Sequence, residues 1–359
     1  MKKRIGYIDV AKGIGILLVV LSHAYFPLRN FSFMFFMQFF FFISGVLYSD
    51  KDTQHPFKYI KKKLKTLYVP FVIYNLLIMA LHNIFLKLNF YTNNPRFKGT
   101  IINKYTFNDF FISIIEILTF DNTEQLARPL WFIVALFSTS IIFSLLKYFI
   151  DKLNRRKFIL STTIFILFLI GYFTHLPRFL SSALVGLLFY YLGYIYKNYQ
   201  NRIALKLVPA LFCVCIVFLF SKFTYVNMMP NIYTSPLTMF ISSILGVYMT
   251  IYFSKAVSSV KVGIALEYCG RNSLIILATH LIFFKLVNII EIFTMKKEYY
   301  LIASYPVYIT DNYWWILYSV VGVCFPLLLD LVIKEVRSLL QRNKLLRYFQ
   351  ARSLLGKEK

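Results

Sequence analysis

The sequence predicts an all-α integral membrane protein, a bundle of about ten transmembrane helices with both termini on the cytoplasmic side. Three observations carry this. Hydrophobic residues make up 58% of the 359, with 39 Phe and 27 Tyr. Apolar runs recur, each long enough or nearly so to cross a ~30 Å hydrocarbon core, and no soluble domain of this size needs several of them. Lys and Arg are divided unequally between alternate connections, the bias that marks cytoplasmic loops.

Taken in order, the runs lie at about 8–27, 31–49, 66–86, 129–149, 158–174, 179–196, 204–221, 236–254, 271–292 and 313–333. The first follows Lys2-Lys3-Arg4 and imitates a signal peptide. It lacks a small-x-small cleavage site and more spans follow, so it reads as an uncleaved first helix. Pro27, Pro70, Pro129, Pro177, Pro236 and Pro326 fall near run ends or within runs, where they limit or kink helices. Residues 87–128 form a long outer connection, in which Phe110 to Phe120 suits a short interfacial helix. Residues 1–335 read as one polytopic domain and 336–359 as a basic cytoplasmic tail on the inner leaflet. No internal repeat and no soluble domain is visible.

The formal net charge is +25. In a soluble protein this would suggest nucleic acid. Here topology accounts for it and no nucleic-acid partner is expected. The N-terminus with Lys12, segments 50–65, 147–157, 197–206 and 255–271, and the C-terminus hold 29 of the 40 Lys and Arg. Those segments face the cytoplasm, where they also suit anionic membrane lipids and a nucleotide-bearing substrate. Cys213, Cys215, Cys269 and Cys324 form no disulfide framework and no metal spacing, so no metal is expected.

Five constellations could carry chemistry. The first run holds Asp9, Lys12 and His23, and ionisable groups are costly inside a spanning helix. Lys12 and His23 are eleven residues apart, so both point the same way, separated by roughly 16 Å along the axis. His23 reads as a general base. Lys12 reads as a phosphate anchor or a snorkelling cation, and Asp9 as its support. In the second run, Ser44-Gly45 follows a row of Phe and permits close approach of a backbone or a ligand. Lys61, Lys62 and Lys65 belong to a basic cytoplasmic stretch that would attract a polyphosphate. Trp131 opens the fourth run as an interfacial anchor or a substrate contact. Arg271 and Asn272 stand at the cytoplasmic end of the ninth run, which carries a second imidazole, His280, inside it.

Together these residues resemble the membrane acyltransferase-3 family, specifically its fucose 4-O-acetylase-like branch, over nearly the whole chain. Lys12 and His23 match its signature of a basic residue, ten intervening residues and a His. Asp9, Phe42-Ile43-Ser44-Gly45, Lys61 to Pro70, Leu130-Trp131-Phe132 and Gly270-Arg271-Asn272-Ser273-Leu274 through His280 match further motifs in order. Many members carry Arg where this chain has Lys12, which argues against a bidentate phosphate fork here.

The resemblance implies O-acyl transfer, usually acetyl, from cytoplasmic acyl-CoA to a hydroxyl of a surface or secreted glycan or its lipid-linked precursor, in a bacterial cytoplasmic membrane. Acetyl-CoA would be a co-substrate, held by Lys12, Lys61, Lys62, Lys65 and Arg271. His23, supported by Asp9, would be catalytic, deprotonating the acceptor hydroxyl or taking the acyl group itself. Ser44, Trp131, Asn272 and His280 would line the acceptor site, with Ser44, Asn272 and backbone N–H groups as oxyanion candidates. Two rival readings are an exporter of a polysaccharide or lipid-linked sugar and a scaffold of a polysaccharide-synthesis complex. The paired broken helices of two-fold transporters are not seen.

Overall fold

The computed structural model describes residues 6–121, 124–308 and 313–355, with side chains to residue 341. It is helical almost throughout. The first half contains α1 (Gly6–His23), α2 (Arg29–Phe33), α3 (Phe36–Val46), α4 (Asp50–Gln54), α5 (Pro56–Lys63), α6 (Val69–Ala80), α7 (His82–Lys87), α8 (Phe107–Thr119) and α9 (Trp131–Ile150). The second half contains α10 (Arg156–Phe173), α11 (Leu180–Tyr199), α12 (Leu207–Phe223), α13 (Pro236–Val257), α14 (Lys261–Arg271), α15 (Ser273–Thr294) and α16 (Trp314–Leu355). A π turn (Leu64–Tyr68) joins α5 to α6, and 3-10 turns occupy Gln125–Leu130 and Tyr299–Ala303. The strands β1 (Val226–Asn227) and β2 (Ile232–Tyr233) form a small antiparallel ribbon.

Among the described residues, 7 helices are long and apolar enough to cross a membrane, against about ten expected. The shortfall has local causes. The run at 31–49 is broken between α2 and α3. α12 has only 17 residues. α11 has the length but carries Ser181, Ser182, Lys197 and Asn198. The run at 271–292 is among the seven, as α15, but Arg271 belongs with Glu267 to a separate helix, α14. The stretch Phe110 to Phe120 does form a helix: α8 opens with a capping box in which Thr106 Oγ1 and the Asp109 carboxylate satisfy each other's backbone N–H.

A helix broken inside a bundle must find partners for its freed backbone groups. At the α2–α3 break the carbonyl of Met34 accepts from Ser242 Oγ at 3.2 Å and Ser243 Oγ at 3.5 Å. Gly246, one turn along α13, faces Phe35 so closely that a Cβ would lie 2.2 Å from that ring's Cβ. Two serines and a glycine thus form a notch on α13 that receives the break.

Glycines also set the closest helix pairs. A Cβ on Gly45 of α3 would lie 1.8 Å from the carbonyl oxygen of Tyr190 on α11, and one on Gly193 would lie 1.9 Å from that of Phe42. Close approach at Ser44-Gly45 is therefore backbone against backbone. The same device joins α1 to α14. A Cβ on Gly270 would meet the Asp9 carbonyl oxygen at 1.8 Å, and one on Gly13 would meet that of Leu266 at 2.0 Å. Besides α14, α1 packs against α13, α15, α16, α2 and α3, which makes it a central helix.

Candidate active site

α1 carries two polar clusters, one near each end. At its first turns, Lys12 Nζ lies 3.1 Å from Asp9 Oδ1, and Arg271 Nε of α14 lies 3.8 Å from Asp9 Oδ2. Arg271 also pairs with Glu267. Asp9 is 7% exposed. A buried carboxylate is costly unless paired, and two cations here share it. The glycine contact between α1 and α14 is what brings Arg271 within reach. Lys63, on α5, lies within electrostatic reach of Lys12 and Asp52.

Toward the other end, His23 Nδ1 lies 3.0 Å from the carbonyl of Val19 and 3.3 Å from Nε2 of His280 on α15. His280 Nδ1 lies 2.9 Å from the carbonyl of Ile276. The two rings are 5.0 Å apart, tilted by 47°. Hydrogen-bond chemistry fixes the neutral tautomers, because a carbonyl can only accept. His280 Nδ1–H donates to Ile276, so its Nε2 carries a lone pair. His23 Nδ1–H then donates to Val19 and His280 together. That leaves His23 Nε2 with a lone pair and no hydrogen-bond partner among the described residues. A neutral imidazole so held can take a proton at Nε2.

The remaining sequence candidates fall in several places. Asp9 is about fourteen residues, roughly 21 Å along the helix axis, from His23, so it holds charge at the Lys12 end and does not touch the imidazole. His280 is fully buried, with its Nε2 facing His23. Lys61 and Lys65 are exposed, and among the described residues no contact links them to Lys12. Lys62 lies over the Tyr59 ring at 5.9 Å, beside Lys63. Asn272 donates to the Tyr268 carbonyl and accepts from Lys334, so its amide is committed. Ser44 is half-buried on α3. Trp131 is buried against Phe132 and Phe179, a packing position and not an interfacial anchor.

Two groups were not foreseen and a third was not singled out. Lys63, within the basic stretch of Lys61, Lys62 and Lys65, is the one within electrostatic reach of Lys12. Gln38, fully buried on α3, has neither amide atom hydrogen-bonded among the described residues, although α3 packs against α1. His82 and Glu124 form a buried pair at 3.0 Å. His82 lies inside the predicted run 66–86, so the rule that singled out His23 would have flagged it too.

An acyltransferase domain family matches residues 5–351. The chain belongs to the acyltransferase-3 family. No curated protein and no solved structure matches it. Family membership and the apolar helices together make it a multi-pass membrane acyltransferase, and the clusters on α1 are those in which that chemistry is sought.

Proposed function

We propose that this acyltransferase moves an acetyl group from cytoplasmic acetyl-CoA to a hydroxyl of a surface glycan or its lipid-linked precursor, at a bacterial cytoplasmic membrane. The observation that carries the reading is the His23 imidazole, its Nδ1 committed to Val19 and His280 and its Nε2 uncommitted among the described residues. The Lys and Arg bias supports a cytoplasmic side for Lys12 and both termini.

In this reading Lys12, Arg271 and Lys63 attract the donor's phosphates, with Asp9 and Glu267 offsetting part of the charge. The elongated arm of the donor follows α1 for roughly 16 Å and presents its thioester near His23. His23 Nε2 takes the proton of the acceptor hydroxyl as its oxygen bonds to the thioester carbonyl carbon. The C–S bond then breaks, and the thiolate recovers that proton from His23. Gln38 is a candidate donor to the oxyanion, because its buried N–H has no partner among the described residues.

The test is acetyl-CoA-dependent thiol release by purified protein, with glycan analysis of cells expressing His23→Ala. Acceptor-dependent release and loss of O-acetyl are expected. Full acetylation by His23→Ala at normal protein level would remove His23 from the reaction. An exporter would carry saccharide without releasing thiol.

A further inference from the structure

At the end of the bundle beyond His23, a cavity of about 490 Å³ is lined by His82, Tyr105, Asp121, Glu124, Arg128 and Phe179, among others. That volume is in the range of small-molecule sites, and charged groups among aromatic ones are their usual lining. The Tyr105 ring stacks on His82, with centroids 3.5 Å apart and planes 12° from parallel.

The charges of this cavity can be counted by their partners. His82 Nδ1 bonds the Glu124 carboxylate and its Nε2 bonds the carbonyl of Asn103 at 3.0 Å. Both ring nitrogens therefore face acceptors, the arrangement of an imidazolium, and its charge is balanced by Glu124. Asp121 is balanced by Arg178 through two hydrogen bonds, 2.7 and 2.8 Å. Arg128 is exposed and pairs with no carboxylate among the described residues. Among the described residues, the cavity is left with one guanidinium that no carboxylate pairs.

Arg128 sits on a 3-10 turn that packs against α15, the helix of His280. It lies within electrostatic reach of Tyr305, which is in turn within reach of Tyr25, two residues past His23. Arg29 lies over the Tyr25 ring at 4.1 Å.

We infer that this cavity receives the saccharide acceptor, and that the acceptor carries an anionic group, a carboxylate or a phosphate, for which Arg128 is the counter-ion. The inference rests on the acyl-transfer reading above. A planar guanidinium matches either anion with two parallel N–H bonds, and an uncharged sugar would leave it uncompensated.

The test uses the full chain in phosphatidylcholine nanodiscs and three probes: methyl β-glucuronide, methyl β-glucoside and glucose 6-phosphate. Binding is read by saturation-transfer NMR, and thiol release from acetyl-CoA is followed separately. At least one anionic probe binds more tightly than the glucoside, weakens tenfold or more in Arg128→Gln and recovers in part in Arg128→Lys. Which anion responds identifies the source. Arg96→Gln, in an exposed loop, changes nothing. Equal binding of all three probes, or anion binding that survives Arg128→Gln, overturns the inference. Thiol release with neutral glycans alone would sink the anionic acceptor but leave acyl transfer standing. Arg128-dependent binding without thiol release under any acceptor would do the reverse.

Discussion

His280 Nε2 accepts from His23 Nδ1 at 3.3 Å, and this contact joins the deepest imidazole on α15 to the one that ends α1. If the contact sets the tautomer of His23, His280 is a positioning residue. His280→Ala should lower kcat for thiol release about 10–100-fold with KM for acetyl-CoA unchanged, against a loss of ~10²–10⁴-fold for His23→Ala. The double variant should be no slower than His23→Ala alone, since residues acting as a unit are not additive. An additive double variant would separate the two roles.

The Lys12 cluster should act on donor binding. A charge-assisted hydrogen bond contributes about 1.5–3 kcal/mol, so Lys12→Met should weaken CoA binding by roughly 10–100-fold. Lys63→Met should weaken it less, and added salt should weaken it in wild type more than in either variant. Calorimetry with CoA across ionic strength checks this. Unchanged affinity in Lys12→Met would leave the lysine as a partner of Asp9 only.

Gly270→Ala should destabilise the protein by at least the ~1–3 kcal/mol of an overpacked contact, because a Cβ would lie 1.8 Å from the Asp9 carbonyl oxygen. It should also weaken CoA binding by displacing Arg271 from Asp9. Gly6→Ala is the control, since a Cβ there meets nothing within 4 Å. Thermal unfolding in detergent compares the two.

Gln38 separates stability from function. Replacing a buried, unpartnered amide by an apolar group of similar shape is neutral or stabilising. Gln38→Leu should therefore unfold no earlier than wild type. If its N–H serves the oxyanion, the same change should lower kcat by about 10²–10³-fold. Normal kcat with raised stability would make Gln38 a bystander.

His82 carries a pH dependence. Burial works against its charged form, but hydrogen bonds to Glu124 and Asn103 more than offset this and hold it above its ordinary value. A raised folded-state value stabilises fully below the unfolded value of about 6.5 and is lost as pH rises through the folded one. The melting temperature of wild type minus that of His82→Gln should therefore shrink as pH is raised from 6 to 9. A constant difference would mean that His82 does not titrate there.

Much of this site was legible because α1 writes its pattern locally. An eleven-residue spacing needs only helical geometry to put Lys12 and His23 on one face. What α1 meets was harder to read. Segment 255–271 read as a cytoplasmic connection with Arg271 at the end of a span, yet Glu267 to Arg271 belong to a separate helix packed on α1 where Gly13 and Gly270 let two backbones touch, a fact of pairing that neither segment states alone. The break at Met34 was hidden for the same reason, since its carbonyl is satisfied by serines more than two hundred residues away. Lys63 was passed over among five neighbouring lysines, because which one turns inward depends on where α5 docks. His82 was readable by the rule applied to His23, and so was Lys285, which is fully buried and donates to the carbonyls of Ile302, Ala303 and Ser304.

The 16 Å between the two clusters of α1 has a consequence for traffic across the bilayer. A coenzyme bearing several phosphates cannot pass through hydrocarbon, and a bundle that conducted it would leak much else. A helix that grips the handle at one end and reacts with the tip at the other removes the need. In the proposed reaction the carrier stays on its own side, and two carbons change compartments as they change partners. In such an arrangement bond exchange is itself the translocation step, and the seal of the membrane is never opened.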